Sequence, residues 1–172
     1  FLRACNNIGG EFISISPASK QCINVCEIRK QDLSANQLID GVISENSILA
    51  KKIQQLMIFF SLLIPDMSNE EEQLLDEALV KTYGAFGITH DNDSLYEDKN
   101  ANPPKMKVMP VLGDLHKNLL GNPMTERIAV ILSRFVTGSA QSFNQQTNVN
   151  LDNDYVVLDL SDLKGKLPPV GM

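Results

Sequence analysis

At 172 residues, with 43% hydrophobic and 21% charged, the sequence has the balance of an ordinary globular protein large enough to bury a core. A net charge of −6 argues against a broad nucleic-acid-binding face. No apolar run approaches the roughly 20 residues that cross a bilayer, and the longest, Leu56 to Leu63, is interrupted by Ser61. The opening Phe1-Leu2-Arg3-Ala4-Cys5 lacks the apolar core of a signal peptide and carries no initiator Met, so an excised piece of a longer chain is expected.

The first strand signal is Gly9-Gly10 followed by Phe12, Ile13 and Ile15, ended by Pro17. Cys22 to Val25 reads as a second short extended piece, and 27–45 is polar without a pattern. From Asn46 to Ile64 the apolar residues Leu49, Ile53, Leu56, Met57, Phe60 and Leu63 recur at helical steps. Ile58, Phe59, Leu62 and Ile64 make the second half apolar nearly all round, which predicts a helix surrounded by protein and stopped by Pro65.

Ser68 and Glu71 form a capping box that starts the next helix. Glu70, Glu71 and Glu72 are expected as a solvated first turn, with Leu74, Leu75, Ala78 and Leu79 inward and Gly84 as a left-handed exit. Residues 84–108 read as a long connection. Within it Asp91-Asn92-Asp93 fails as a calcium loop, because Tyr96 stands where Gly is required and Asn102 where Glu is required. Asn92-Asp93-Ser94 matches the glycosylation pattern by chance.

Leu112, Leu115 and Leu119 mark a short helix ended by Gly121. Thr125 to Val136 is another helix, with a left-handed stop predicted at Gly138-Ser139. A polar loop over 141–150 then leads to Tyr155-Val156-Val157-Leu158-Asp159-Leu160, an apolar run that reads as a parallel-sheet strand buried on both faces. Leu163 to Pro169 reads as a turn.

Sites for chemistry are sparse. Cys5, Cys22 and Cys26 are too few and too widely spaced for structural zinc, and an odd count suits a reducing compartment. Gly165-Lys166 lacks the rest of a phosphate loop, because Leu160 and Leu167 occupy the other key places. His90 and His116 stand alone in sequence and are expected at the surface rather than as general bases. Arg127 and Arg134, seven apart on one helix face, are expected to be solvated rather than to contact phosphate or a neighbouring subunit. Asp159 in its apolar strand is either an acid poised for chemistry or a loop cap. No catalytic, cofactor-binding or metal-ligating residue is assigned.

The set resembles the internal part of the large cytoplasmic ATPase of type IV secretion and conjugative transfer systems. The matching residues are Gly9-Gly10, Ile15-Ser16-Pro17, Ile23-Asn24, Tyr83-Gly84, Gly87-Ile88-Thr89, Met109-Pro110, Asp114-Leu115, Gly138-Ser139, Phe143-Asn144, Thr147-Asn148 and Tyr155 to Leu160. Val25 departs from the pattern, where Pro is expected.

The resemblance implies a RecA-like motor carrying a mostly helical insertion between its phosphate loop and its Walker B acids. This chain would be that insertion with a motor strand at each end: 1–45 at the edge of the core, 46–137 all-helical, 138–172 returning. The fold expected is mainly α with a few short strands, about five helices in all. The resemblance further implies ATP and magnesium in the parent but not in this fragment, secretion-machinery partners, a hexameric parent and DNA binding by the parent alone. It also implies a cytoplasmic place at the inner face of a bacterial membrane. The alternative is a free-standing helical interaction domain with no motor attached.

Overall fold

The computed structural model describes residues 9–14, 20–29, 47–138, 140–151 and 156–159. Cys5, Pro17, Ser139, Tyr155, Leu160 and the turn at 163–169 lie outside them. In chain order the elements are β1 (Glu11–Ser14), α1 (Ile48–Leu63), α2 (Asn69–Ala85), a 3₁₀ turn (Asn92–Leu95), β2 (Tyr96–Asp98), β3 (Lys105–Met106), α3 (Leu112–Leu119), α4 (Glu126–Val136), a second 3₁₀ turn (Gln141–Phe143) and β4 (Val156–Asp159). Four α-helices thus stand among the described residues, against the five expected. The expected class, mainly α with a few short strands, is the one observed.

The helices pack in sequence, α1 on α2, α2 on α3 and α3 on α4. Their inner faces share one core that includes Leu49, Phe60, Leu75, Tyr83, Leu112 and Leu132. β1 and β4 are hydrogen-bonded neighbours and run parallel, with Glu11 opposite Val156 and Ser14 opposite Asp159. The two strand signals that bracket the helices in sequence therefore meet in space. Parallel strands cannot be joined by a tight turn and need a long crossover; here the crossover is the helical block.

Three of the four described helix starts are capped by side chains. The Ser47 hydroxyl accepts from the Ala50 N–H at 3.2 Å, and the Ile48 N–H donates to Asn92 Oδ1 at 2.9 Å, so the 3₁₀ turn helps to cap α1. At α2 the predicted capping box is complete: Ser68 N–H donates to Glu71 Oε2 at 2.9 Å, and Glu71 N–H to Ser68 Oγ at 3.2 Å. Asp114 accepts from the Val111 N–H at 3.1 Å to open α3.

Four expectations are corrected. α1 is not enclosed: Ile58 and Leu62, four apart, are 63% and 60% exposed, so the helix buries one stripe and shows another to its surroundings. Gly84 lies within α2, and the positive-φ exit (φ 69°) is at Gly87. Gly138 is not left-handed. Its requirement is steric, since a Cβ there would lie 2.7 Å from the Arg134 carbonyl oxygen. Finally, the connection 84–108 holds a 3₁₀ turn and the antiparallel pair β2–β3. Its Asp91 carboxylate caps that turn by accepting from the Asp93 N–H at 2.9 Å. Gly121, the predicted end of α3, does take a positive φ of 84°.

Candidate functional site

Arg127 on α4 is an interhelical staple. Its Nε and Nη2 donate to the two carboxylate oxygens of Glu71 at 2.9 and 2.8 Å, a forked pairing that fixes both groups. Its Nη1 also reaches both oxygens of Asp66 at 3.1 Å. Arg127 is exposed, as expected of a solvated face, yet it is ion-paired; the expected solvated first turn is overturned at Glu71, which is 9% exposed. The pairing has no local signal, because the partners lie 56 residues apart in sequence.

Arg127 and the Ser68 N–H hold the Glu71 carboxyl down at about 2, against 4.5 ordinarily. A carboxyl depressed in the folded state stabilises the fold fully above its unfolded value. That contribution disappears as pH falls from about 4.5 through about 2. The expected result is a loss of roughly 2–3 kcal/mol over that window. Melting curves taken through it should be flatter for Arg127→Met; curves of identical shape would remove the pair as the cause.

The other titratable candidates are structural in this geometry. His90 is exposed, with Nδ1 2.9 Å from the Ser47 hydroxyl. His116 is half-buried rather than at the surface, and its Nε2 lies 3.0 Å from Ser133 Oγ. That hydroxyl donates to the Ala129 carbonyl at 3.0 Å, so the His–Ser contact ties α3 to α4 with the serine proton already engaged. Cys26 is buried, and desolvation pushes its thiol up to about 12, which suppresses the thiolate. Among the described residues no three His, Cys, Asp or Glu side chains form a metal-binding group. Arg134 is half-buried on α4. Asp159 stands opposite Ser14 in the parallel ladder.

Among the described residues a dense set of hydrogen bonds forms the neck between the helices and the strand pair, where residues 20–27 meet the loop 141–151. Ile23 N–H donates to the Ser142 carbonyl at 3.0 Å, and Cys22 N–H to Asn148 Oδ1 at 2.7 Å. Asn148 returns its own N–H to the Cys22 carbonyl at 3.2 Å and its Nδ2 to that of Lys20 at 2.7 Å. At the centre sits Asn24, 3% exposed. Its Nδ2 donates to the Pro110 carbonyl at 2.9 Å, and its Oδ1 accepts from the Cys26 N–H at 3.0 Å. Thr147 accepts from the Asn24 N–H and donates to Glu27 Oε2 at 2.6 Å. Asn144 Oδ1 takes the Gly113 N–H at 2.6 Å, where a Cβ on residue 113 would lie 3.0 Å away.

The predicted second extended piece at Cys22–Val25 is thus no strand. It is a strap that turns at Val25-Cys26, the place where the expected Pro is missing. Side-chain amides play the part that ladder partners play in a sheet. Gln146 Nε2 adds a bond to the Met109 carbonyl at 2.7 Å. Beside the neck opens a cleft of about 390 Å³, lined among others by Glu27, Arg29, Lys107, Val108, Thr147 and Leu151.

A helical block closed by a parallel strand pair and pinned at its neck by amide side chains defines an α+β helical domain. No protein-family model matches the chain, and no curated protein does. Among solved structures it is similar to VirB4 of Thermoanaerobacter pseudethanolicus, at 29% sequence identity and a TM-score of 0.69. The match covers 95% of this chain and 57% of that one, so the chain spans little more than half the length of the structure it matches. This likeness supports the relation to a type IV secretion ATPase that the sequence suggests. No helix among the described residues is long and apolar enough to cross a membrane.

Proposed function

We propose that the chain is the helical insertion of a type IV secretion or conjugative-transfer ATPase and that it couples nucleotide-driven changes in the motor to transfer of DNA or protein. In this reading 1–45 is an edge of the RecA-like core, 46–137 is the insertion and 138–172 returns to the core. The fragment itself holds no catalytic, cofactor or metal residues. ATP and magnesium, hexamer formation, DNA contact and partners in the secretion machinery at the inner face of the membrane belong to the parent.

The observation that carries the proposal is the parallel pairing of β1 with β4 around the whole helical block. A long insertion whose ends meet costs a host sheet little loop entropy if it folds on its own core. The likeness to VirB4 along nearly the full chain favours this reading over a free-standing interaction domain. Coupling then needs a connection stiff enough to pass a displacement, and the neck supplies it: both strand connections are bonded to each other and to Met109-Pro110. A ligand-driven shift at one end biases the other only through such a differential contact.

The test replaces residues 46–137 by a short flexible linker in the full-length protein. Nucleotide binding should remain measurable while DNA or protein transfer is lost. Transfer at the parental level would show the helical block to be dispensable.

A further inference from the structure

The buried apolar residues fall into two clusters. One is the shared core of the helices; the other gathers Ile23, Val149 and Leu151 around the fully buried Ile13 of β1. Among the described residues Phe143, in the second 3₁₀ turn, is the one that packs against both. On the helical side its ring meets Phe135 of α4 edge to face, with centroids 6.1 Å apart. Aromatic pairs at such a spacing attract beyond what their buried area supplies. On the other side the ring lies against the cluster around Ile13.

The backbone beside the ring is anchored in both directions. The Ser142 carbonyl accepts from the Ile23 N–H at 3.0 Å, which ties it to the strap at 20–27. Asn144 takes the Gly113 N–H in the first turn of α3 at 2.6 Å, and its Nδ2 donates to the Val136 carbonyl at the end of α4 at 3.4 Å. Phe143 is therefore held to the helices and to the strand cluster at once.

The contacts of the neck differ in how they respond to separation. The Asn148 bonds to Cys22 and Lys20 are exposed, and water replaces them at little cost when the strap moves. A ring packed between two apolar clusters has no such substitute. Drawing one cluster away opens a void or exposes apolar surface, so the other is pulled after it.

Resting on the coupling role proposed above, we infer that Phe143 is its positioning residue. The ring carries a displacement of the β1–β4 pair into α4, while the polar bonds of the neck hold the ring in place.

The test uses the full-length protein and amide hydrogen exchange read by mass spectrometry over α4 and over the two strands. It is run with and without a non-hydrolysable ATP analogue and magnesium. In the parent, nucleotide should change exchange in both regions. In Phe143→Ala the strands should still respond, while the response of α4 should fall at least about fivefold. Phe143→Val, which loses reach but less volume, should do the same and replaces the alanine variant if that one does not fold. Phe143→Met keeps most of the reach and should respond as the parent does. Val149→Ala and Val136→Ala each trim one cluster alone and should lower stability without uncoupling the two.

A full α4 response in Phe143→Ala or Phe143→Val overturns the inference and leaves the coupling role standing. So does loss of that response in Phe143→Met or in either valine control, or loss of the strand response in Phe143→Ala, because the ring would then be structural only. A parent whose α4 is indifferent to nucleotide overturns the coupling role itself, and the inference with it.

Discussion

Phe60→Ala should be the most damaging single truncation in α1, costing about 3–5 kcal/mol. Phe60 is 0% exposed, in the helix stripe that also carries Leu49, Ile53 and Leu56 into the shared core. Removing its ring loses the transfer energy of a large apolar group and leaves a void that the neighbouring helices close only in part. Ile58, two residues earlier, is 63% exposed, and Ile58→Ala should stay within about 0.5 kcal/mol of the parent. The comparison is made by chemical denaturation of both variants. Equal midpoints would mean that α1 is packed on a different face from the one described.

The second large effect is expected at Asn24. Asn24→Ala strips a donor from the Pro110 carbonyl and an acceptor from the Cys26 N–H, both in buried bonds. Each polar group left unpaired away from water costs about 1–3 kcal/mol, so the variant should lose about 2–4 kcal/mol. Asn148→Ala makes a control of the same chemistry, since its bonds to Cys22 and Lys20 are exposed and water can replace them. It should cost under about 1 kcal/mol. Thermal melts of the two proteins decide the matter: if they coincide, Asn24 is not the centre of the neck.

Much of the helical architecture was legible because it rests on short-range signals. The apolar steps of α1 and α4, the Ser68–Glu71 capping box and the Gly121 exit each depend on residues within a few positions of one another. The strand pair was legible as two apolar runs bracketing the helices. What escaped depends on tertiary neighbours. The Arg127–Glu71 staple joins residues with no local relation, and in the sequence Asn24 reads only as part of a short extended piece. β2 and β3 carry Glu97, Asp98 and Lys105, so no apolar alternation announces them. The outer stripe of α1 shows a different limit. Ile58 and Leu62 have the same chemistry as the buried Ile53 and Leu56, and only the packing of α2 decides which stripe is covered.

The direction of the β1–β4 pair has a mechanical consequence. The chain leaves β1 at Ser14 and enters β4 at Val156, and in a parallel register these points lie at opposite ends of the ladder. A load that draws the two connections of the helical block apart therefore pulls the strands past each other along their axes. Such shear strains all the ladder bonds together, whereas tension applied at one end of a hairpin opens them one by one. Four paired positions would share such a load at once.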